Sequence, residues 1–119
     1  MIRISRTIQK LDAADQAPGR LATRIAMMLM GKDKPSFVNN VDAGAIVEVV
    51  HASKMRITGS KMDTKEYHSH TMHPGGFASR KMKQVFENDP ADVLRRAVDR
   101  MLPKNSFRPE RLKRLLIKN

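Results

Sequence analysis

The 119-residue sequence has no cysteine and no tryptophan, and aromatic residues make up only 4% of it. Without cysteine there can be no disulfide framework, no thiolate zinc site and no cysteine nucleophile, which removes most small secreted scaffolds and zinc modules; an ordinary cytosol suits such a chain. Phe37, Tyr67, Phe77, Phe86 and Phe107 are the whole aromatic complement. They are too few for a base-stacking platform of the kind that reads single strands, so a nucleic acid would be recognised through backbone and shape. Long apolar runs are missing too: the longest, Ala45 to Val50, is broken by Glu48 and falls far short of the roughly 20 residues that cross a bilayer. Met1 to Arg6 carries no apolar leader core, and no targeting segment is expected. Acid is also scarce: 12 Asp+Glu face 23 Lys+Arg, a net charge of +11. A surplus of that size calls for a polyanionic partner, while the 40% apolar content is too high for a disordered basic tail.

The length suits a single domain over residues 1–119. Thr7 to Asp12 reads as a strand, and Ala13 to Gly19 as a connection rich in small residues. From Arg20 the period becomes helical, with Leu21, Ile25, Met28 and Leu29 on one stripe, Arg20 and Arg24 on its flank, and Gly31 as a C-terminal cap. Ala45 to Val50 is continuous and β-branched, the pattern of a strand covered on both faces. Met55 to Thr58 alternates and predicts a further short strand, whereas Lys61 to Arg80 lacks apolar periodicity and reads as extended or looped chain carrying function. Met82, Val85 and Phe86 share one side of a short helix. Asp89-Pro90 opens the clearest helix, with Asp92 in its first turn, Leu94, Ala97, Val98, Met101 and Leu102 on its stripe, and Pro103 closing it. Leu112, Leu115 and Leu116 predict a final helical turn. This order implies an α/β domain, three-layer α/β/α with a mostly parallel central sheet, a two-layer arrangement being the alternative.

The excess charge gathers in two stretches. A basic loop, about residues 59–83 with its approach, holds Lys54, Arg56, Lys61, Lys65, Arg80, Lys81 and Lys83 against Asp63 and Glu66; a basic tail, about 104–119, holds Lys104, Arg108, Arg111, Lys113, Arg114 and Lys118 against Glu110. A merely solvated surface usually intersperses acids; a surface for phosphates does not. His68, His70 and His73 lie within the loop. On an extended chain His68 and His70 share a face and His73 does not, and no carboxylate follows at a metalloprotease spacing. They read as donors to phosphate or sugar oxygens, with internally bonded loop histidines as the plain alternative and a metal-dependent hydrolase as a distant one. Gly75 and Gly76 permit close approach of another backbone. Thr58-Gly59-Ser60-Lys61 lacks the full phosphate-loop pattern, and no nucleophile elbow, paired-acid motif or dinucleotide fingerprint occurs. No cofactor, metal or small-molecule substrate is expected.

Taken in order, Asp12-Ala13, Gly19-Arg20-Leu21-Ala22-Thr23, Gly31-Lys32, Ile57-Thr58-Gly59-Ser60-Lys61, His70-Thr71-Met72-His73-Pro74-Gly75-Gly76 and Ala97 to Asn105 closely resemble the ribosomal protein L-thirteen family of the large subunit, from about Thr7 to Leu116. The resemblance implies a three-layer α/β/α domain that binds large-subunit ribosomal RNA, abuts neighbouring ribosomal proteins, joins the particle early in assembly and catalyses nothing. It carries RNA-facing character onto Arg20, Lys61, Lys65, His70, Gly75, Gly76 and Lys104, with Tyr67 between the motifs, and core character onto Leu21, Ala22, Ala97, Val98, Met101 and Leu102. Pro18 stands where the family usually has an aliphatic residue, Ala45 where an acid is common and His51 where asparagine is frequent. The sequence stops at Asn119 without the family's Tyr-Gly and His-Pro-His-type ending, so contacts made by that ending are not expected of these residues. The short ends resemble the bacterial form, placing the expected site of action on a cytoplasmic ribosome. A free-standing RNA- or DNA-binding factor is the other reading of the same charge.

Overall fold

A computed structural model describes residues 5–59 and 61–119. Strand β1, Ile8–Asp12, leads into helix α1, Pro18–Met30. The helix begins earlier than its apolar stripe because Pro18 has the φ of a first helical position and no N–H to leave unpaired. It ends where Gly31, at φ 85°, turns left-handed and donates its amide to the Met27 carbonyl at 3.0 Å. Leu21, Ala22, Ile25, Ala26, Leu29 and Met30 form its buried face.

Strand β2, Ile46–Val50, runs parallel to β1, and a 3-10 turn follows over Ala52–Lys54. Val47 and Val49 are fully buried, while Ile46, Glu48 and Val50 are half-buried, so one face of this strand is sealed and the other only partly covered. The cover expected on both faces is therefore present but unequal. The third strand comes from the end of the chain: β5, Leu115–Ile117, pairs parallel with β2, giving the order β1-β2-β5. Leu115 and Leu116, expected in a helical turn, therefore belong to the sheet, and the helix α5 before them is Arg108–Lys113. Spacing alone misleads there, because three leucines at i, i+3 and i+4 suit a helix while Leu112 is in fact the helix's last contact with the core.

Between β2 and the last helices lie α2, Lys61–Thr64, an antiparallel pair β3, Glu66–His70, and β4, Phe77–Lys81, and α3, Met82–Asn88. The segment expected to be extended or looped chain is thus mostly an extended hairpin. Its strands escaped detection because β4 is exposed at all five positions and β3 buries Tyr67 alone, leaving no apolar alternation to see. Conversely Met55 to Thr58 alternates but joins no ladder; Met55 is buried, and the Arg56 amide donates to the Gln16 carbonyl at 3.0 Å.

Helix α4, Pro90–Met101, starts on the Asp89 cap, whose carboxylate accepts from the Ala91 amide at 3.2 Å, and packs along α1. Leu94, Val98 and Leu102 enter the main core with the α1 face, Val47, Val49 and Leu115. Met101, expected in that core, is 42% exposed instead, its sulfur accepting from the Thr23 hydroxyl at 3.3 Å. A second cluster of Tyr67, Met82, Val85 and Val93 roots the hairpin, with Phe86 packed against both clusters. The parallel sheet with helices packed on it is an α/β fold, as expected. The extents of 48 × 38 × 20 Å and radius of gyration of 15.7 Å exceed the roughly 13.5 Å of a compact chain this long, consistent with a projecting hairpin.

Candidate nucleic-acid interface

Direct pairing in the hairpin sets which side chains share a face. Tyr67 lies opposite Arg80, and Glu66, His68 and His70 lie opposite Lys81, Ser79 and Phe77. One face therefore carries Lys81 with His68 and His70, and Arg80 sits on the Tyr67 face. His68 stacks on Phe77 with ring centroids 5.6 Å apart. In the turn, Nδ1 of His70 accepts from the Met72 amide at 2.8 Å, so its ring proton sits on Nε2, pointing a donor away from the backbone. His73 does the reverse: its Nδ1 donates to the Pro74 carbonyl at 2.9 Å. Among the described residues no three side chains of the metal-ligating types come together. Gly75 has φ 79°, which favours glycine, and at Gly76 a Cβ would overlap the Thr71 side chain. The close approach that Gly76 permits is thus within the hairpin itself. Met72 at the tip is 90% exposed.

At the hairpin's root the first turn of α1, the 56–58 segment, β3 and α4 enclose a cleft of about 490 Å³. Arg20, Arg56, Lys65 and Arg100 line it, with Tyr67 at its base. Tyr67 is 5% exposed, and its ring carries Arg96, Arg100 and Lys65 at 4.8, 5.5 and 5.6 Å from the centroid. Burial pushes its phenol above the ordinary value, and the opposing pull of Arg100 and Arg96 does not cancel that, so the hydroxyl stays a donor. Arg56 was counted with the basic stretch around the loop, whereas Arg96 and Arg100 were not among the expected site residues. Arg96 and Arg100 stand one turn apart on α4, and that i, i+4 spacing beside an apolar stripe was the available signal.

The tail is not a uniform cationic surface. Arg111 is only 3% exposed and donates to Asp42 at 3.3 Å; Arg114 holds Asp42 at 2.7 and 2.9 Å and the Leu29 carbonyl at 2.7 Å. Both stand among the tail cations expected to face RNA; in the structure their guanidinium groups join the end of the chain to the 42–45 loop and the end of α1. Arg108 pairs with Asp99 at 3.3 Å and Lys113 with Glu110 at 3.5 Å, both less buried. Arg24 on α1, Lys54 in the 3-10 turn and Lys104 in the connection after α4 are exposed and are not part of the cleft lining. The side chain of Lys61, like Ser60, lies outside the described residues. Among the described residues no helix is long and apolar enough to cross a membrane.

An α/β body bearing an exposed cationic hairpin and a cleft rimmed by cations defines a basic nucleic-acid-binding protein. A family profile described as Ribosomal protein L13 matches residues 6–117, and the chain belongs to that family. It is 45% identical to the large ribosomal subunit protein uL13 of Aquifex aeolicus over 107 residues, covering 90% of this chain and 74% of that protein. It is similarly 46% identical to the uL13 of Maridesulfovibrio salexigens, covering 90% and 75%, and 45% identical to that of Persephonella marina over 114 residues, covering 96% and 76%.

Proposed function

We infer that this chain is a structural constituent of the large ribosomal subunit, binding and stabilising large-subunit ribosomal RNA, contributing to assembly and catalysing no reaction. Its partners are that RNA and the neighbouring large-subunit proteins, on a cytoplasmic ribosome of bacterial type like those of its relatives. The observation that carries the reading is family membership over residues 6–117. The exposed cations of the hairpin supply its physical basis, since each phosphate neutralised releases counterions.

The contact residues we favour are Lys65, Arg80 and Lys81 with His68, His70 and His73 on the hairpin, Arg20 and Arg24 on α1, Lys54, the exposed Lys104 and Lys113, and the half-buried Arg108; Lys61 adjoins them in sequence. Gly75 and Gly76 shape the turn that presents them. Arg111 and Arg114 act from inside, by holding the tail. Sedimentation tests the reading: tagged chain in a bacterial lysate travels with large subunits, and neutralising Arg80 and Lys81 together to Gln reduces its incorporation without moving its thermal transition. Neutralisation is preferable to reversal because Glu66 directly opposes Lys81, and like charges facing across a ladder destabilise it. Recovery of the unaltered chain wholly outside ribosomal particles would overturn the reading.

A further inference from the structure

We propose that the cleft between α1, the hairpin root and α4 receives a single nucleotide turned out of the RNA, with its phosphate at the first turn of α1 and its base over the apolar floor. The proposal rests on the RNA-binding reading and adds a discrete site to it.

The phosphate seat is built from the start of a 13-residue helix whose first turn holds no acid and whose N-cap, Ala17, offers no side-chain bond. Pro18 has no N–H, so the amides of Gly19 and Arg20 are the donors left without an intrahelical carbonyl. Gly19 leaves that seat open: a Cβ there would meet nothing within 4 Å. Arg20, Arg56, Lys65 and Arg100 surround it, and no acidic side chain is among the described residues lining the cleft.

A second, independent observation points to a ligand. Tyr67 is more than nine-tenths buried and lines the cleft, and its hydroxyl has no hydrogen-bond partner among the described residues. No buried side-chain polar atom among the described residues lacks a partner, so this hydroxyl opens into the cleft, where a phosphate or ribose oxygen can replace water as its acceptor. Ile57, Met82, Val93, Ala97 and Met101 make the rest of the wall apolar, which a bare anion does not require and a nucleobase does. The volume of about 490 Å³ lies within the range of roughly 300–1,000 Å³ usual for small-ligand pockets, which suits one nucleotide and excludes a duplex. Unpaired, splayed nucleotides are what RNA-binding proteins take into such pockets.

The test uses the full chain, labelled with 15N and titrated separately with adenosine 5′-monophosphate, inorganic phosphate and adenosine. The expected result is saturable shifts at the Gly19 and Arg20 amides, with the monophosphate binding at least about tenfold more tightly than phosphate or adenosine alone. Gly19→Glu places an acid where the helix dipole favours it, so the thermal transition holds or rises while monophosphate affinity falls about tenfold or more. Tyr67→Phe removes a hydroxyl that no other described group uses and weakens binding about three- to tenfold with the fold unchanged. Shifts confined to the hairpin, equal affinity for phosphate and monophosphate, or undiminished binding by Gly19→Glu would each overturn the site. A single-stranded adenylate pentamer identifies the source: tighter binding than the monophosphate supports RNA, and weaker binding overturns RNA in favour of a free nucleotide. The two readings fail separately. Loss of ribosomal RNA binding by the unaltered chain counts against the general function, whereas the amide shifts report the cleft alone.

Discussion

Asp42 accepts from both terminal nitrogens of Arg114 and from Nε of Arg111, and Arg6 lies 3.9 Å away. Burial by itself would push its carboxyl upward, but the hydrogen bonds and charges of Arg114, and then of Arg111, outweigh that and hold it below the ordinary value of 3.8. A carboxylate with a lowered folded-state pKa contributes stability that is present above its unfolded value and is lost as pH falls through the folded one. The melting temperature should therefore drop on acidification below about pH 4, and Asp42→Asn should flatten that limb. At neutral pH the same substitution leaves the nearly buried Arg111 guanidinium without its counter-charge, an expected loss of about 3 kcal/mol readable by denaturant titration. None of this was visible in the sequence. Arg111 and Arg114 lie in a run of tail cations like any other, and their partner stands 69 and 72 residues earlier. Tyr67 was legible as a candidate because it sits between two motifs, but the arginines over its ring come from a helix that spacing assigns to the core.

What could be read of the elements depended on whether each one buries a single face. Helices α1, α3 and α4 do, and their stripes and the Asp89-Pro90 start located them to within a few residues. The β3–β4 hairpin buries only Tyr67, so its strands gave no alternation; Met55 and Ile57 did alternate, but periodicity reports burial, not whether a ladder partner exists. Strand β5 is three residues long and depends on β2 for its conformation. The cap on α4 is the local signal that can be tested most directly. Asp89→Ala removes the bond to the Ala91 amide and should cost about 1 kcal/mol, seen as a fall of a few degrees in the melting temperature with RNA affinity preserved. Gly44→Ala is more severe, because the added methyl would overlap the backbone carbonyl of Leu29 at the end of α1. It should lower stability more than Asp89→Ala does, and an unchanged transition would show that the 42–45 loop does not press on that helix.

Across the whole molecule the net charge of +11 overstates what is available to a polyanion. Arg111 and Arg114 are committed to Asp42 inside the fold, and Arg96, Arg108, Lys113 and Lys118 have acidic neighbours on the surface. The cations with no ion pair among the described residues include Arg20, Arg24, Arg80 and Lys104, while Lys81 faces Glu66 across the hairpin. If binding rests on some six to eight phosphates, affinity for a ribosomal RNA fragment should fall by about three to four powers of ten between roughly 50 and 200 mM salt. The slope of log affinity against log salt then assays which cations take part. Neutralising Arg80 and Lys81 together should make it shallower by about 1.8, because each lost phosphate contact removes roughly 0.9. Arg111→Gln and Arg114→Gln should leave the slope near its original value while lowering the melting temperature, since those side chains are occupied within the protein. A slope that changed equally for both pairs would mean that the tail arginines leave Asp42 on binding, and that internal pairing in the free chain does not determine which cations meet RNA.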